Sequence, residues 1–136
     1  MEPYISLITL GVKDLKKSFA FYKDILGLPS EKGIEGDVAF FQLRNIWLSL
    51  YPRDLLVKDA QVEDVGKGFS GITLAHNVKS EEAVDALIKK LRGNGVRITK
   101  EPEKAEWGGY SAYFQDPDGY NWEVACNPFS DLTRED

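Results

Sequence analysis

A chain of 136 residues suffices for one compact domain, built as one piece or from two small modules. At 43% hydrophobic and 12% aromatic it can bury a core, while a formal net charge of −5 and the lack of any long basic run exclude nucleic acid and anionic membranes as expected partners. Cys126 is the single cysteine, no apolar run reaches membrane-spanning length, and the N-terminus lacks a basic region followed by an apolar stretch; together these predict a cytoplasmic protein without an internal disulfide.

The spacing predicts a strand over residues 5–12, with Ile8, Leu10 and Val12 on one face and Leu7, Thr9 and Gly11 on the other. Asp14 is a fair N-cap for the helix LKKSFAFYKDIL, whose buried stripe is Leu15, Phe19, Tyr22 and Leu26 with Ile25 beside it. Gly27 ends that helix in a left-handed cap and Pro29 prevents its continuation. Residues 30–37 read as a loop or irregular edge strand. Residues 38–43 and 46–51 form a hairpin over Arg44-Asn45. Pairing Leu43 with Ile46 gathers Ala39, Phe41, Leu43, Ile46, Leu48 and Leu50 on an apolar face, and leaves Phe40, Gln42, Trp47, Ser49 and Tyr51 on the other.

The stretch from Pro52 to Gly68 carries charges, Pro and Gly, and residues 53–68 read as a linker able to hold a turn of helix. The pattern then restarts. Residues 69–77 are a strand, Ser80 caps a helix with the stripe Val84, Leu87, Ile88 and Leu91, Gly93-Asn94-Gly95 ends it, and residues 96–100 are a strand. The last hairpin joins residues 110–115 to 121–127 across the turn formers Asp116-Pro117-Asp118-Gly119. Pairing Gln115 with Asn121 sets Tyr113 opposite Glu123 and Ser111 opposite Ala125. The other face then becomes uniformly apolar: Ala112, Phe114, Trp122, Val124 and Cys126. A register shifted by one residue would bury Tyr113 instead, and the uniform apolar face favours the first. On that face Cys126 and Trp122 are packing residues.

Strand–helix–strand–strand–strand therefore occurs twice, at residues 4–52 and 69–128, followed by a tail at 129–136. Each half alone is too small for a good core. The predicted fold is α+β: two βαβββ modules forming a curved, open, barrel-like mixed sheet around a cleft, with the helices outside. The residues directed away from the helices would line the cleft.

The duplicated module resembles the vicinal oxygen chelate superfamily, which includes glyoxalase I, bleomycin-resistance proteins, fosfomycin-resistance enzymes and extradiol dioxygenases. The resemblance rests on V-x-D-L-x-x-S-x-x-F-Y at Val12 to Tyr22 and D-P-D-G-x-x-x-E at Asp116 to Glu123, and covers nearly the whole chain. It implies a divalent metal held by one side chain from the first and last strand of each module. Carried over, those positions are Leu7, Ser49, Gly71 and Glu123, of which only Glu123 is a competent ligand. His76 shares parity with Ile72 and Leu74, which directs it to the helix side, away from Glu123.

No cofactor is expected, and a metal is disfavoured. Glu123 with Tyr113 remains as an acid–base or hydrogen-bonding pair. The expected ligand-binding set is Phe40, Trp47, Ser49, Tyr51, Trp107, Ser111, Tyr113 and Glu123. Its aromatic walls suit a small organic ligand, aromatic or cationic. Arg53 could anchor an anion, and Gly108-Gly109 permits a hinge or a tight turn. The expected function is metal-free ligand binding of the bleomycin-resistance kind by a homodimer. The alternatives are an enzyme, lactoylglutathione-lyase-like, isomerase or dioxygenase-like, that uses Glu123 with or without a metal, or a protein-interaction module.

Overall fold

The computed structural model of the chain describes residues 1–133, so the end of the predicted tail, 134–136, lies outside the described residues. It divides into two compact units, Met1–Lys67 and Gly68–Asp136.

In the first unit the order is β1 (Leu7–Val12), α1 (Leu15–Ala20), β2 (Ile34–Glu35), β3 (Val38–Gln42), β4 (Trp47–Pro52) and α2 (Arg53–Ala60). The sheet order is β1-β4-β3-β2, with β1 parallel to β4 and the remaining pairs antiparallel. Strand pairing of β1 begins at Leu7, opposite Trp47, so the predicted first two residues stay outside the strand. The expected hairpin register is present: Ala39 faces Leu50 and Phe41 faces Leu48, all four buried at 0–2% exposure. Burying these side chains against α1 is the main favourable term holding the unit together.

Asp14 caps α1 as expected, its Oδ1 accepting from the Lys17 amide at 3.1 Å. The helix then widens into a π-helical turn, Phe21–Ile25, closed by the Leu26 amide donating to the Phe21 carbonyl at 2.9 Å. Such a turn inserts one residue and rotates everything after it. Of the predicted stripe Tyr22 is fully buried, with Ser18 and Phe21 buried beside it, while Leu15, Phe19, Ile25 and Leu26 are half-buried. Phe19 and Tyr22 still reach Phe41, with ring centroids 5.4 and 6.0 Å apart. Gly27 takes the predicted left-handed conformation, φ 71°.

The segment after β4 holds more helix than the one turn expected. Its start lies against Gly11, where an added Cβ would meet Arg53 Cα, Cβ and Cγ at 3.2–3.3 Å. The Arg53 guanidinium donates to both oxygens of Asp64, at 2.6 and 2.9 Å, and ties residues 61–66 back to the helix. That cation holds the Asp64 carboxyl down at about 2.

The second unit runs β5 (Thr73–Asn77), α3 (Glu81–Gly93), β6 (Arg97–Lys104), β7 (Tyr110–Gln115) and β8 (Asn121–Cys126). Its sheet order, β5-β8-β7-β6, repeats that of the first unit strand for strand. β5 starts later than predicted because Gly68 and Gly71 adopt φ values of 85° and 84°, which break extended backbone. Ser80 caps α3 by accepting from the Ala83 amide at 3.1 Å, and Val84, Ile88 and Leu91 are its buried stripe. The β7–β8 register matches the preferred one, with Tyr113 facing Glu123 and Gln115 facing Asn121. Asp116 builds the turn, its Oδ1 accepting from the amides of Asp118 and Tyr120 at 2.9 Å each. Ala112, Phe114 and Val124 are buried, and Trp122 stacks on Phe114 with centroids 6.1 Å apart. Cys126 is half-buried on the same face.

Strand β6 departs most from its predicted form. It runs to Lys104 and carries two irregularities against β7. From Ile98 to Lys100 it advances two residues while β7 advances one, and from Lys100 to Glu103 it advances three while β7 advances two. Each is a one-residue bulge, and each flips the following side chains to the other face. Pro102 lies within the second bulge, on an edge strand, where a missing amide is tolerated.

Candidate functional site

In the second sheet, the face opposite α3 is organised as three rows across the strands. The middle row is Lys100, Tyr113, Glu123 and Ala75 on β6, β7, β8 and β5. On one side of it runs Arg97, Gln115, Asn121 and Thr73, and on the other Glu103, Ser111, Ala125 and Asn77.

The Tyr113 hydroxyl donates to Glu123 Oε2 at 3.1 Å. Burial and then the Glu123 charge push the phenol above its usual value, so it remains a donor at neutral pH. The Lys100 ammonium lies 5.9 Å from the Tyr113 ring centroid and 3.4 Å from a Glu103 oxygen. Gln115 Nε2 donates to Asn121 Oδ1 at 3.0 Å. Ser111 is 2% exposed. Arg97, Lys100 and Glu103 were not among the predicted site residues. Simple alternation from Ile98, which faces Phe114 on the helix side, sends Lys100 to the core; the bulge reverses it. A Pro inside a charged edge strand was the one available sequence signal.

The corresponding face of the first sheet has another character. Leu7, Thr9 and Gly11 lie beside Trp47, Ser49 and Tyr51, with Phe40 and Gln42 next on β3. Phe40 and Trp47 contact each other with centroids 5.8 Å apart and planes at 56°. Trp47 is 44% exposed, and Ser49 is 3% exposed. Arg53 closes the Gly11–Tyr51 end, already paired with Asp64.

Trp107 does not join the Tyr113–Glu123 row. It sits in a tight loop at the far end of the hairpin, where the Gly108 amide donates to the Ala105 carbonyl and the Ala105 amide to the Gly109 carbonyl. Its indole folds onto Gly109, where a Cβ would come within 1.8 Å of the ring. His76 pairs with Val124 and so has the helix-side parity expected from the sequence. Burial lowers its pKa, although the residue keeps much surface exposed.

The two registers can be laid over each other. Phe40 faces Ser49 where Tyr113 faces Glu123, so Ser49 and Glu123 correspond. Leu7 faces Trp47, two residues before Ser49; Thr73 faces Asn121, two residues before Glu123. Of the four carried-over positions, Leu7, Ser49 and Glu123 lie on strands and Gly71 precedes β5. Leu7, Ser49, Gly71 and Glu123 together offer one hydroxyl and one carboxylate, which does not fit a tightly held divalent ion. Among the described residues no group of three or more His, Cys, Asp or Glu side chains is placed to hold a metal.

A separate surface groove of about 490 Å³ lies at the end of β5, lined by Asn77, Lys79, Asn127, Phe129 and Asp131 among others. It contains none of the predicted site residues.

Comparison with known proteins gives a consistent picture. The chain is 29% identical over 128 residues to metallothiol transferase FosB of Lysinibacillus sphaericus, covering 93% of this chain and 84% of that one. It is 30% identical over 127 residues to fosfomycin resistance protein FosX of Listeria monocytogenes, covering 88% and 86%. A glyoxalase-related enzyme from Fulvimarina pelagi superposes with a TM-score of 0.82 at 30% identity, covering 94% of this chain and 90% of that one. A family model matches residues 4–124, and the chain belongs to the glyoxalase/bleomycin resistance protein/dioxygenase superfamily.

Proposed function

We propose that the chain binds a small organic ligand on the faces opposite its helices, without a resident catalytic metal. The observation that carries this reading is the Tyr113–Glu123 pair: the one carboxylate at a ligand position accepts from a phenol and has Thr73, Ala75 and Asn121 for neighbours across the register. Glu123 is thereby set as a hydrogen-bonding anchor. The exposed Trp47 against Phe40 supplies a flat apolar wall of the kind that stacks on aromatic or cationic groups.

The test is elemental analysis of the purified protein with calorimetric titration of Ni²⁺, Zn²⁺, Mn²⁺ and Fe²⁺. No saturable site near one ion per chain is the expected result. A stoichiometric metal that disappears in Glu123→Ala would overturn the reading.

The names of the relatives favour a second reading. FosB is called a transferase and the Fulvimarina pelagi protein an enzyme. On that reading Glu123 and Tyr113 act as an acid–base pair on a bound substrate, in a lactoylglutathione-lyase-like, isomerase or dioxygenase-like reaction.

A further inference from the structure

The β6 bulges place a cation where the sequence showed none. Lys100, Tyr113 and Glu123 stand side by side on three adjacent strands, at matched register. Neighbouring strands lie roughly 4.8 Å apart, so the backbones bearing the ammonium and the carboxylate are separated by about 10 Å, with the phenol ring between them. The ammonium stands over the Tyr113 ring, 5.9 Å from its centroid, and its ion pair is with Glu103 rather than Glu123. Lys100 and Glu123 form a positive end and a negative end along one line.

Neither end is locked. The Lys100–Glu103 contact is 3.4 Å long, with side chains 40% and 63% exposed. A surface pair of that kind is weak, and an incoming acid group can displace it. At the other end the phenol takes one acceptor site of the carboxylate, which has about four. The phenol donates rather than accepts, so the Glu123 end favours a donor or cation from the ligand.

Resting on the ligand-binding reading above, we propose that this row selects a zwitterionic aromatic molecule, with its acid group at Lys100, its ring at Tyr113 and its amine at Glu123. The selection is for two opposite charges on one flat body. A cation alone uses half of the row, and an anion alone uses the other half.

The experiment compares 4-(aminomethyl)benzoate, benzylamine and benzoate as probes on the full chain, by calorimetry at fixed low salt. The expected result is that 4-(aminomethyl)benzoate binds about tenfold tighter than either single-charge probe, the worth of one added charge-assisted hydrogen bond. Lys100→Met brings it down to the benzylamine affinity measured on the same variant. Glu123→Gln brings it down to the benzoate affinity. Lys100→Arg keeps most of the preference, which separates charge from fold. Equal binding of benzylamine and 4-(aminomethyl)benzoate, unaltered by Lys100→Met, overturns the zwitterion proposal and leaves the ligand-binding reading standing. Failure of all three probes to bind the unaltered chain overturns the proposal and counts against that reading as well.

Discussion

The two units are one scaffold carrying two different faces. On the helix side they match position for position: Ala39 facing Leu50 and Phe41 facing Leu48 in the first, Ala112 facing Val124 and Phe114 facing Trp122 in the second. On the opposite side the equivalents diverge. Phe40 with Ser49 becomes Tyr113 with Glu123, and Trp47 becomes Asn121. The first unit thus presents an aromatic wall and the second a row of charge and hydroxyl. Packing fixes the side that builds the core, because a volume change there costs stability directly. The other side is free of that requirement, and chemistry is written there.

Four outcomes would break or sharpen the comparison. Phe41→Ala and Phe114→Ala, at equivalent core positions, should each lower stability by about 3–5 kcal/mol in denaturant unfolding. A much smaller loss in one of them would mean that the two cores are not equivalent. Asp14→Ala and Ser80→Ala remove equivalent helix caps and should cost about 1 kcal/mol each, read as nearly equal drops in the same assay.

Asp64→Asn tests a feature of the first unit. The folded carboxyl is depressed from 3.8 to about 2, so its contribution to stability is complete above 3.8 and is lost as pH falls towards 2. Melting temperature followed from pH 5 to 2 should fall more steeply in the unaltered chain than in Asp64→Asn. Parallel curves would remove the Arg53–Asp64 clasp from the account. Last, the Tyr113 phenol should ionise above the usual tyrosine range and move back down in Glu123→Gln, followed by ultraviolet titration against Tyr113→Phe. An unshifted phenol in Glu123→Gln would leave burial as the whole cause.

What the sequence disclosed about the fold follows from the same division. Both hairpin registers were legible because a slip of one residue would expose every apolar side chain, as the Tyr113–Glu123 and Phe41–Leu48 pairs show. Asp14 and Ser80 were legible as caps because their oxygens satisfy a local amide. The features that escaped are those that break a period. The π turn at Phe21–Ile25 interrupts the helical period, and Gly68 and Gly71 delay the start of β5 to Thr73. The bulges in β6 turned Lys100 over to the Glu123 face. The Tyr113–Glu123 pairing and the shared parity of Phe40 and Trp47 were legible from alternation, and Trp107 lies in the loop before the last hairpin, where its indole folds onto Gly109.

The most direct test of the central claim is an amide ¹H–¹⁵N spectrum of the full chain titrated with benzylamine, an aromatic cation. The account predicts shifts centred on Tyr113 and Glu123, abolished in Glu123→Gln. Shifts confined to the groove lined by Asn77, Lys79, Asn127 and Phe129, with the Tyr113–Glu123 row unmoved, would contradict it.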